Sequence, residues 1–559
     1  MRRLHLMLDR FMRRGAAMAL LALACKHDAA SDDGTTGDAS TSSEGGSSST
    51  ASSSSGSSSS GADSSGGSSG STGEVDLPDP LPPLDAIVLT TESRRVPVHA
   101  IAAMQENDPR EPAMLDQMIA DGYGDEQDAD GEPILDVTLD GSAAPEPGPA
   151  AGRITRFVHM ADTQLADDES PTRLAGFDSP GATAGAFRPQ EAYGCQMVNA
   201  AVRTINAVNA ADPIDFVIMG GDNADSAQSN EVQWFLGVLD GADVVECDSA
   251  VDDDPVPGEG NDPKDPFAPV GLDVPWYWVM GNHDVLVQGN FAIAGREDDV
   301  VGEDVDGATR DWSMPGGPLT MGPVPADEER ALVDGSSLLG LVMASNGGHG
   351  VTQPVVDSGK ANYTFDVAGT DIRFVVLDTA AQTGGSEGVV RQAEVDAFLR
   401  PALDAAVDDG KFVLIATHHA STSLGDGSGL GGMVIDDALT TDEFQGLLGE
   451  YDNILAHLCG HSHIHRVTAV EPMGGTPYWE VITSAIADHP HQMRVLEIID
   501  EDNGFISLSS VAFDIAFDGD ALAAEGRLRG ITDLTSGWQH TGEGVPEDRN
   551  VKLWFPLPG

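Results

Sequence analysis

Basic residues are scarce: 29 Lys and Arg stand against 91 Asp and Glu, a formal net charge of 29 − 91 = −62 over 559 residues. So acidic a surface repels phosphate backbones, which excludes non-specific nucleic-acid binding and favours solubility and attraction of cations. Cysteine is nearly missing. Cys25, Cys195, Cys247 and Cys459 are too few for a disulfide scaffold, and none has zinc-ligand spacing. The apolar run "AAMALLALA" (16–24) is too short to span a bilayer. No internal repeat and no EF-hand spacing are present.

What the N-terminus does have is an export pattern. Arg2, Arg3, Arg10, Arg13 and Arg14 precede the apolar run, which ends at Cys25. "ALAC" (22–25) resembles the lipobox of bacterial lipoproteins, in which the cysteine is lipidated, although Ala22 stands where Leu is usual. Residues 1–25 thus read as a lipoprotein-like signal peptide, with ordinary cleavage as the other reading. Both export the chain; the first anchors it to the membrane of the cell envelope by lipid alone. Residues 26–80 form a Ser/Gly-rich tract with almost no large apolar side chains, read as a disordered tether. An exported compartment permits a Cys195–Cys247 disulfide, while Cys459, ending an apolar strand, reads as a core residue.

Residues 81–150 mix short apolar patches with acidic turns and read as an extension packed on the main domain. The body, 151–515, alternates strands and helices: "RITRFVHMAD", a helix over 190–211, "IDFVIMGGDN", a helix near 228–241, "VPWYWVMGNHD", and later "DIRFVVLDT", "KFVLIATHH" and "NILAHLCGHSH" with helices over 389–409 and 440–450. Such alternation indicates an α/β sandwich. Two inserts interrupt it: a solvated Asp/Pro/Gly loop (247–266), and a lid or substrate loop (289–360) from which His349 is a candidate to reach a site. Residues 516–559 read as a C-terminal segment docked through "VKLWFPLP".

Five short motifs each follow an apolar strand, where an α/β sheet presents its carboxyl ends to a ligand: "DTQ" (162–164), "GDN" (221–223), "GNHD" (281–284), "THH" (417–419) and "GHSH" (460–463). Carboxylates, an amide and imidazoles are the oxygen and nitrogen donors suited to divalent first-row metals.

In this order the motifs resemble those of the calcineurin-like metallophosphoesterase superfamily, D-x-H, G-D-x, G-N-H-D/E, H and G-H-x-H, over roughly 153–485. The resemblance implies a four-layer αββα sandwich and two divalent metal ions (Mn, Fe, Zn or Mg). It places Asp162 and His463 on one ion, Asn282, His418 and His461 on the other, and Asp222 between them. Hydrolysis of phosphomonoesters or phosphodiesters by a hydroxide held between the ions follows. His283 is the expected proton donor to the leaving oxygen, with Asp284 expected to orient it. Gln164 departs from the family's histidine; an amide oxygen is a weaker, harder donor, which would loosen the first ion or shift its identity. His419 is expected as a substrate or supporting contact; His465 reads either as a surface or phosphate-contacting residue or as a further ligand, and His489 and His491, in a turn by Pro490, are left without an assigned role. "GDNADS" (221–226) lacks the tyrosine of iron-dependent purple-type phosphatases. The expected partner is a small phosphoester. The rival function is a non-catalytic metal- or ligand-binding surface lipoprotein on the same scaffold.

Overall fold

The computed structural model describes residues 77–557 apart from 79, 180–182 and 184. The expected signal peptide and all but the end of the expected tether lie outside the described residues.

Two sheets, of seven and six strands, organise the chain. In chain order their strands are β1 (Leu135–Thr138), β2 (Gly152–Met160), β3 (Phe216–Met219), β4 (Trp276–Tyr277), β5 (Tyr363–Asp366), β6 (Ile372–Val376), β7 (Phe412–Ala416), β8 (Ile454–Cys459), β9 (Arg466–Val470), β10 (Tyr478–Ile482), β11 (Gln492–Asp500), β12 (Phe505–Asp514) and β13 (Val551–Pro556). The larger sheet runs β1-β13-β12-β11-β2-β3-β4 and the smaller β5-β6-β7-β8-β10-β9. Strands β2, β3 and β4 are parallel, as are β6, β7, β8 and β10. Parallel neighbours require crossover connections, so their carboxyl ends emerge along one rim.

The strand sequences explain the layers. β6 and β7 read as continuous apolar runs because both faces are buried. Phe374 and Val376 join the core shared with the larger sheet, whereas Val375 and Leu377 face a second core. Between the sheets Phe374 meets Phe157 edge-on at 5.4 Å, and Phe365 stacks on Tyr277 at 3.6 Å. Helices α1 (Gly194–Ala211) and α2 (Ser229–Asp240) feed their apolar faces into the shared core. The second core lies under α3 (Arg400–Asp408) and α4 (Thr441–Leu448), which bury Leu403, Ala406, Phe444 and Leu447. This is the expected αββα sandwich.

Both flanking regions enter the larger sheet. β1 comes from the 81–150 extension and pairs in parallel with β13, which also pairs with β12. The 516–559 segment therefore supplies an internal strand, and a further helix, α5 (Ala521–Thr535).

The inserts are more ordered than their composition indicates. Cys195 and Cys247 form a disulfide, tying the start of α1 to the 247–266 loop. That loop carries Lys264, which is only 2 % exposed and whose ammonium lies 2.9 Å from Asp168 Oδ1, 3.2 Å from Glu169 Oε2 and 3.4 Å from Asp248 Oδ1. The loop thus buries a cation of its own between Asp248 and two carboxylates of the segment after β2, Asp168 and Glu169. In the second insert a helix spans Gly335–Ala344, and His349 stacks on Trp276 at 3.4 Å with its Nε2 2.9 Å from Ser345 Oγ. Stacking holds His349 in the wall of the fold, which takes it out of the candidates for the site.

Candidate active site

All five motifs meet at the rim of the parallel strands. Asp222, after β3, is the centre: its Oδ1 accepts the His283 backbone N–H at 2.8 Å, and its Oδ2 lies 3.0 Å from His418 Nε2 and 3.4 Å from Gln164 Nε2. Asp162, after β2, accepts the His461 backbone N–H on both oxygens at 3.1 Å; its Oδ1 lies 3.3 Å from His463 Nε2 and 4.0 Å from His418 Nε2. The His418 and His461 rings are 5.1 Å apart. Glycine makes this convergence possible. A Cβ on Gly281 would stand 2.1 Å from Asp222 Oδ1, and one on Gly460 would stand 2.5 Å from Asp162 Oδ2.

The backbone is bent to the same end. Asp162, Gln164, Asp222, His461 and His463 all have φ between +40° and +68°. Non-glycine residues in this region cost of order 1–3 kcal/mol each and persist only where surroundings over-determine them, which is typical of functional sites.

The site is buried at its floor and open at its mouth. Asp162, Gln164, Asp222, Asn282 and His418 are buried, whereas the His283 and His463 side chains keep about a fifth of their surface. Two buried donor atoms, Gln164 Oε1 and Asn282 Oδ1, have no hydrogen-bond partner, and His418 Nε2 faces Asp222 Oδ2 at 3.0 Å without hydrogen-bond geometry. Each is fixed by what its other end does. Asn282 Nδ2 donates to the Gly289 carbonyl at 2.9 Å, which turns Oδ1 away, and His418 Nδ1 donates to the Gly220 carbonyl at 2.7 Å, which leaves Nε2 facing the carboxylates. Buried polar atoms left unpaired are costly unless a ligand completes them. This donor set of carboxylates, imidazoles and amide oxygens fits divalent cations.

The electrostatics agree. Burial opposes ionisation of Asp222, yet His418, His283 and His461 hold its carboxyl well below the usual range. Burial also works against charged His418 and His463, but Asp222 and Asp162 push His418 up to about 9, while Asp162 and Asp488 push His463 up to about 10. Both shifts follow from the carboxylates that the two imidazoles face. His461 goes the other way: burial, then the neighbouring His418, press it down to about 3.

His283 stands at the mouth, and its orienting contact differs from expectation. Its Nδ1 donates to the Asp225 carbonyl at 2.7 Å and lies 3.5 Å from Asp225 Oδ1. Asp284 is instead spent on backbone amides: Oδ1 accepts from Asn223 and Ala224 at 2.8 and 2.9 Å, and Oδ2 from Gly281 at 2.7 Å. It ties the G-D-N and G-N-H-D turns together and leaves the imidazole to Asp225. Asp488, also missed in the sequence, accepts from His463 Nδ1 at 2.6 Å, and Arg188 clamps it through Nε at 2.8 Å and Nη2 at 3.2 Å. Asp225 had a signal, three residues after Asp222 in "GDNAD"; Asp488, between "SAIA" and "HPHQ", had none.

The other histidines of these loops have different surroundings. His419 uses both ring nitrogens, Nε2 donating to the Ser386 carbonyl at 3.0 Å and Nδ1 lying 2.8 Å from Thr379 Oγ1, so it supports its loop while His418 faces the carboxylates. His465 is fully buried against Gln492 and Ser484, neither a surface residue nor a phosphate contact. His489 and His491 are buried too, and His491 Nδ1 donates to the Ile486 carbonyl. A second donor group, His457, Cys459 and Glu480, is closed on itself: Nδ1 lies 3.0 Å from Glu480 Oε2 and Nε2 3.2 Å from Cys459 Sγ.

No curated protein matches the sequence. Among solved structures, a dimetal phosphatase from Danio rerio is 12% identical, with 65% of this chain and 100% of that chain covered and a TM-score of 0.35. A purple acid phosphatase from yellow lupin (Lupinus luteus) seeds is 14% identical, covering 69% and 54%, with a TM-score of 0.29. GAP50, the anchor in the inner membrane complex of Plasmodium, is 11% identical, covering 70% and 96%, with a TM-score of 0.26. The family model for calcineurin-like phosphoesterases matches residues 155–465, which span β2 to the G-H-S-H loop and hold all five motifs. The chain belongs to the calcineurin-like phosphoesterase family and is a metal-dependent phosphoester hydrolase.

Proposed function

We propose that this chain hydrolyses phosphomonoesters or phosphodiesters of small molecules at a dinuclear centre. Asp162, Gln164 and His463 hold one ion, Asn282, His418 and His461 the other, and Asp222 serves both. The observation that carries this reading is a set of three buried atoms, the unpartnered Gln164 Oε1 and Asn282 Oδ1 and the carboxylate-facing His418 Nε2, gathered with Asp162 and Asp222. Divalent cations bound there would bring the pKa of water toward neutrality and offset charge on phosphoryl oxygens. The chain's own groups do the rest. His283, half-buried and held by Asp225, presents Nε2 at the mouth, where it would donate a proton to the leaving oxygen. Such a residue has no use in a protein that only stores metal, which disfavours the non-catalytic alternative. The acidic surface disfavours polyanionic substrates.

The same proposal places the protein outside the cytoplasm, lipidated at Cys25. The export pattern of the first 25 residues motivates it, and the Cys195–Cys247 disulfide supports it, since such bonds persist in oxidising compartments.

Elemental analysis of the purified mature chain, with turnover of p-nitrophenyl phosphate and its bis-ester in Mn²⁺ and after chelation, tests the activity. Two equivalents of metal and chelator-sensitive turnover are expected. Metal-independent turnover, or none with metal restored, would overturn the reading. Mass spectrometry of the N-terminus tests the anchor: a free N-terminus beyond residue 25 would refute lipidation.

A further inference from the structure

The family match ends at residue 465, yet the G-H-S-H loop is not held by the matched region alone. His461 and His463 sit at φ +68° and +57°, a conformation that needs external support. Two contacts supply it, both involving the C-terminal segment after α5. First, Gly542 bridges a carbonyl and an amide: its N–H donates to His489 O at 2.9 Å and its own carbonyl accepts the His465 N–H at 2.8 Å. A Cβ on Gly542 would stand 2.2 Å from His463 O, and one on Gly544 would stand 2.2 Å from His465 O, so the strip abuts the loop's backbone with no room for a side chain. Second, Gln539 Nε2 donates to Asp488 Oδ1 at 3.1 Å. With the two Arg188 contacts and His463 Nδ1, this gives each Asp488 oxygen two donors, which fixes the carboxylate and with it the face His463 turns to Asp162.

From this geometry we infer that residues 539–544 form part of the active site: Gln539 is a positioning residue acting through Asp488 on His463, and Gly542 is the wedge that sets the loop. The inference rests on the dinuclear reading above, since it assigns the strip's effect to the ion held by Asp162 and His463. Carboxylates that orient metal-bound histidines typically govern 10- to 100-fold in metal affinity or activity. A strip that locks such a carboxylate and the loop backbone belongs to the same class.

The test uses the full mature chain with Mn²⁺ titration by calorimetry, kcat and KM for p-nitrophenyl phosphate, and thermal melts. Gly542→Ala is expected to weaken one of the two Mn²⁺ sites about tenfold or more and to lower kcat with little change in KM. Gln539→Ala is expected to do the same more mildly, and Gln539→Glu more severely, because a carboxylate there cannot donate and repels Asp488. Gly446→Ala, on α4 with open space around its Cβ, is the control and should match wild type. Should Gly542→Ala fail to fold, the half-buried Gln539 decides the matter. Wild-type metal affinity and kcat in both Gln539 variants would overturn the inference and leave the dinuclear reading standing; a wild-type chain that binds no Mn²⁺ would overturn both.

Discussion

Asp225 holds His283: the imidazole Nδ1 donates to the Asp225 carbonyl at 2.7 Å, with the Asp225 carboxylate 3.5 Å away. This contact fixes Nε2 toward the mouth, the atom a proton donor would use. Removing His283 should therefore cost most where the leaving group is poorest. His283→Ala is expected to slow an alkyl phosphate about 10²- to 10⁴-fold and p-nitrophenyl phosphate far less, with metal content unchanged. Asp225→Asn should follow the same leaving-group trend at smaller amplitude, near tenfold. Because Arg173 Nη1 lies 2.6 Å from Asp225 Oδ2 in a buried pair, a thermal melt must accompany that variant. Equal losses on good and poor leaving groups would disprove the donor role.

Gln164 is the odd donor of the site, an amide where the family has an imidazole. Its Oε1 is buried without a partner while its Nε2 leans on Asp222 at 3.4 Å. Gln164→His should tighten the first ion, because imidazole is the better donor for Mn²⁺, Fe²⁺ and Zn²⁺. A gain of about tenfold in affinity corresponds to ~1.4 kcal/mol, well within reach of calorimetry. Removal of metal by chelation should abolish turnover in both proteins, and the variant should recover at lower added Mn²⁺. Unaltered recovery curves would mean that Gln164 does not face the ion.

The Cys195–Cys247 bond closes a loop with a sequence separation of 52. Constraint of the unfolded chain over such a loop is worth about 4 kcal/mol in the chain-entropy model. Inside the loop lie α1 and α2, and just beyond it Lys264 anchors the 247–266 insert to Asp168 and Glu169. Cys195→Ser with Cys247→Ser, or mild reduction, should lower the denaturation midpoint and expose the insert to protease first. The five motif loops are built from other segments as well, so initial rates below the transition should change little. A reduced protein that melts with the oxidised one would show that the bond has no such weight.

What could be read beforehand follows from where the signals sit. Asp162, Asp222, Asn282, His418, His461 and His463 were legible because each stands just after an apolar strand, and parallel strand ends must share a rim. The four layers were legible for the same reason: β6 and β7 are apolar on both faces, which only a covered sheet permits. The role of Asp284 was misread because adjacency in sequence to His283 was taken as adjacency in space; the turn sends the carboxylate to backbone amides of another loop. Asp488 and Gln539 were invisible, since nothing local marks a residue whose contacts are made with segments distant in the chain. His349 and Lys264 show the same limit, a loop-like composition concealing residues that tertiary stacking and ion pairing bury.

Away from the metal loops, one carboxyl gives a pH signature of stability. Asp178 is buried, and burial pushes it up to about 7; the Phe187 N–H at 3.4 Å and the charges of Arg110 and Arg188 offset this only in part, while Glu191 adds to it. Unfolded, the same carboxyl titrates near about 3.9. Below that value both states hold the proton and Asp178 costs nothing. From there to about 7 the folded state binds more protons than the unfolded one, so stability falls as pH rises, and above it the loss is complete. A difference of about three units sets a ceiling of ~4 kcal/mol. Asp178→Asn keeps an oxygen for the Phe187 N–H and removes the charge, and it also relieves buried Asp533, whose carboxyl is raised by burial and then by Asp178. Melts of variant and wild type should therefore coincide near pH 4 and separate at pH 8, with the variant more stable by about 2–4 kcal/mol. Taking the difference at each pH cancels the titrating groups that do not sense Asp178, so a gap that stays constant from pH 4 to 8 would show that Asp178 ionises freely in the folded chain.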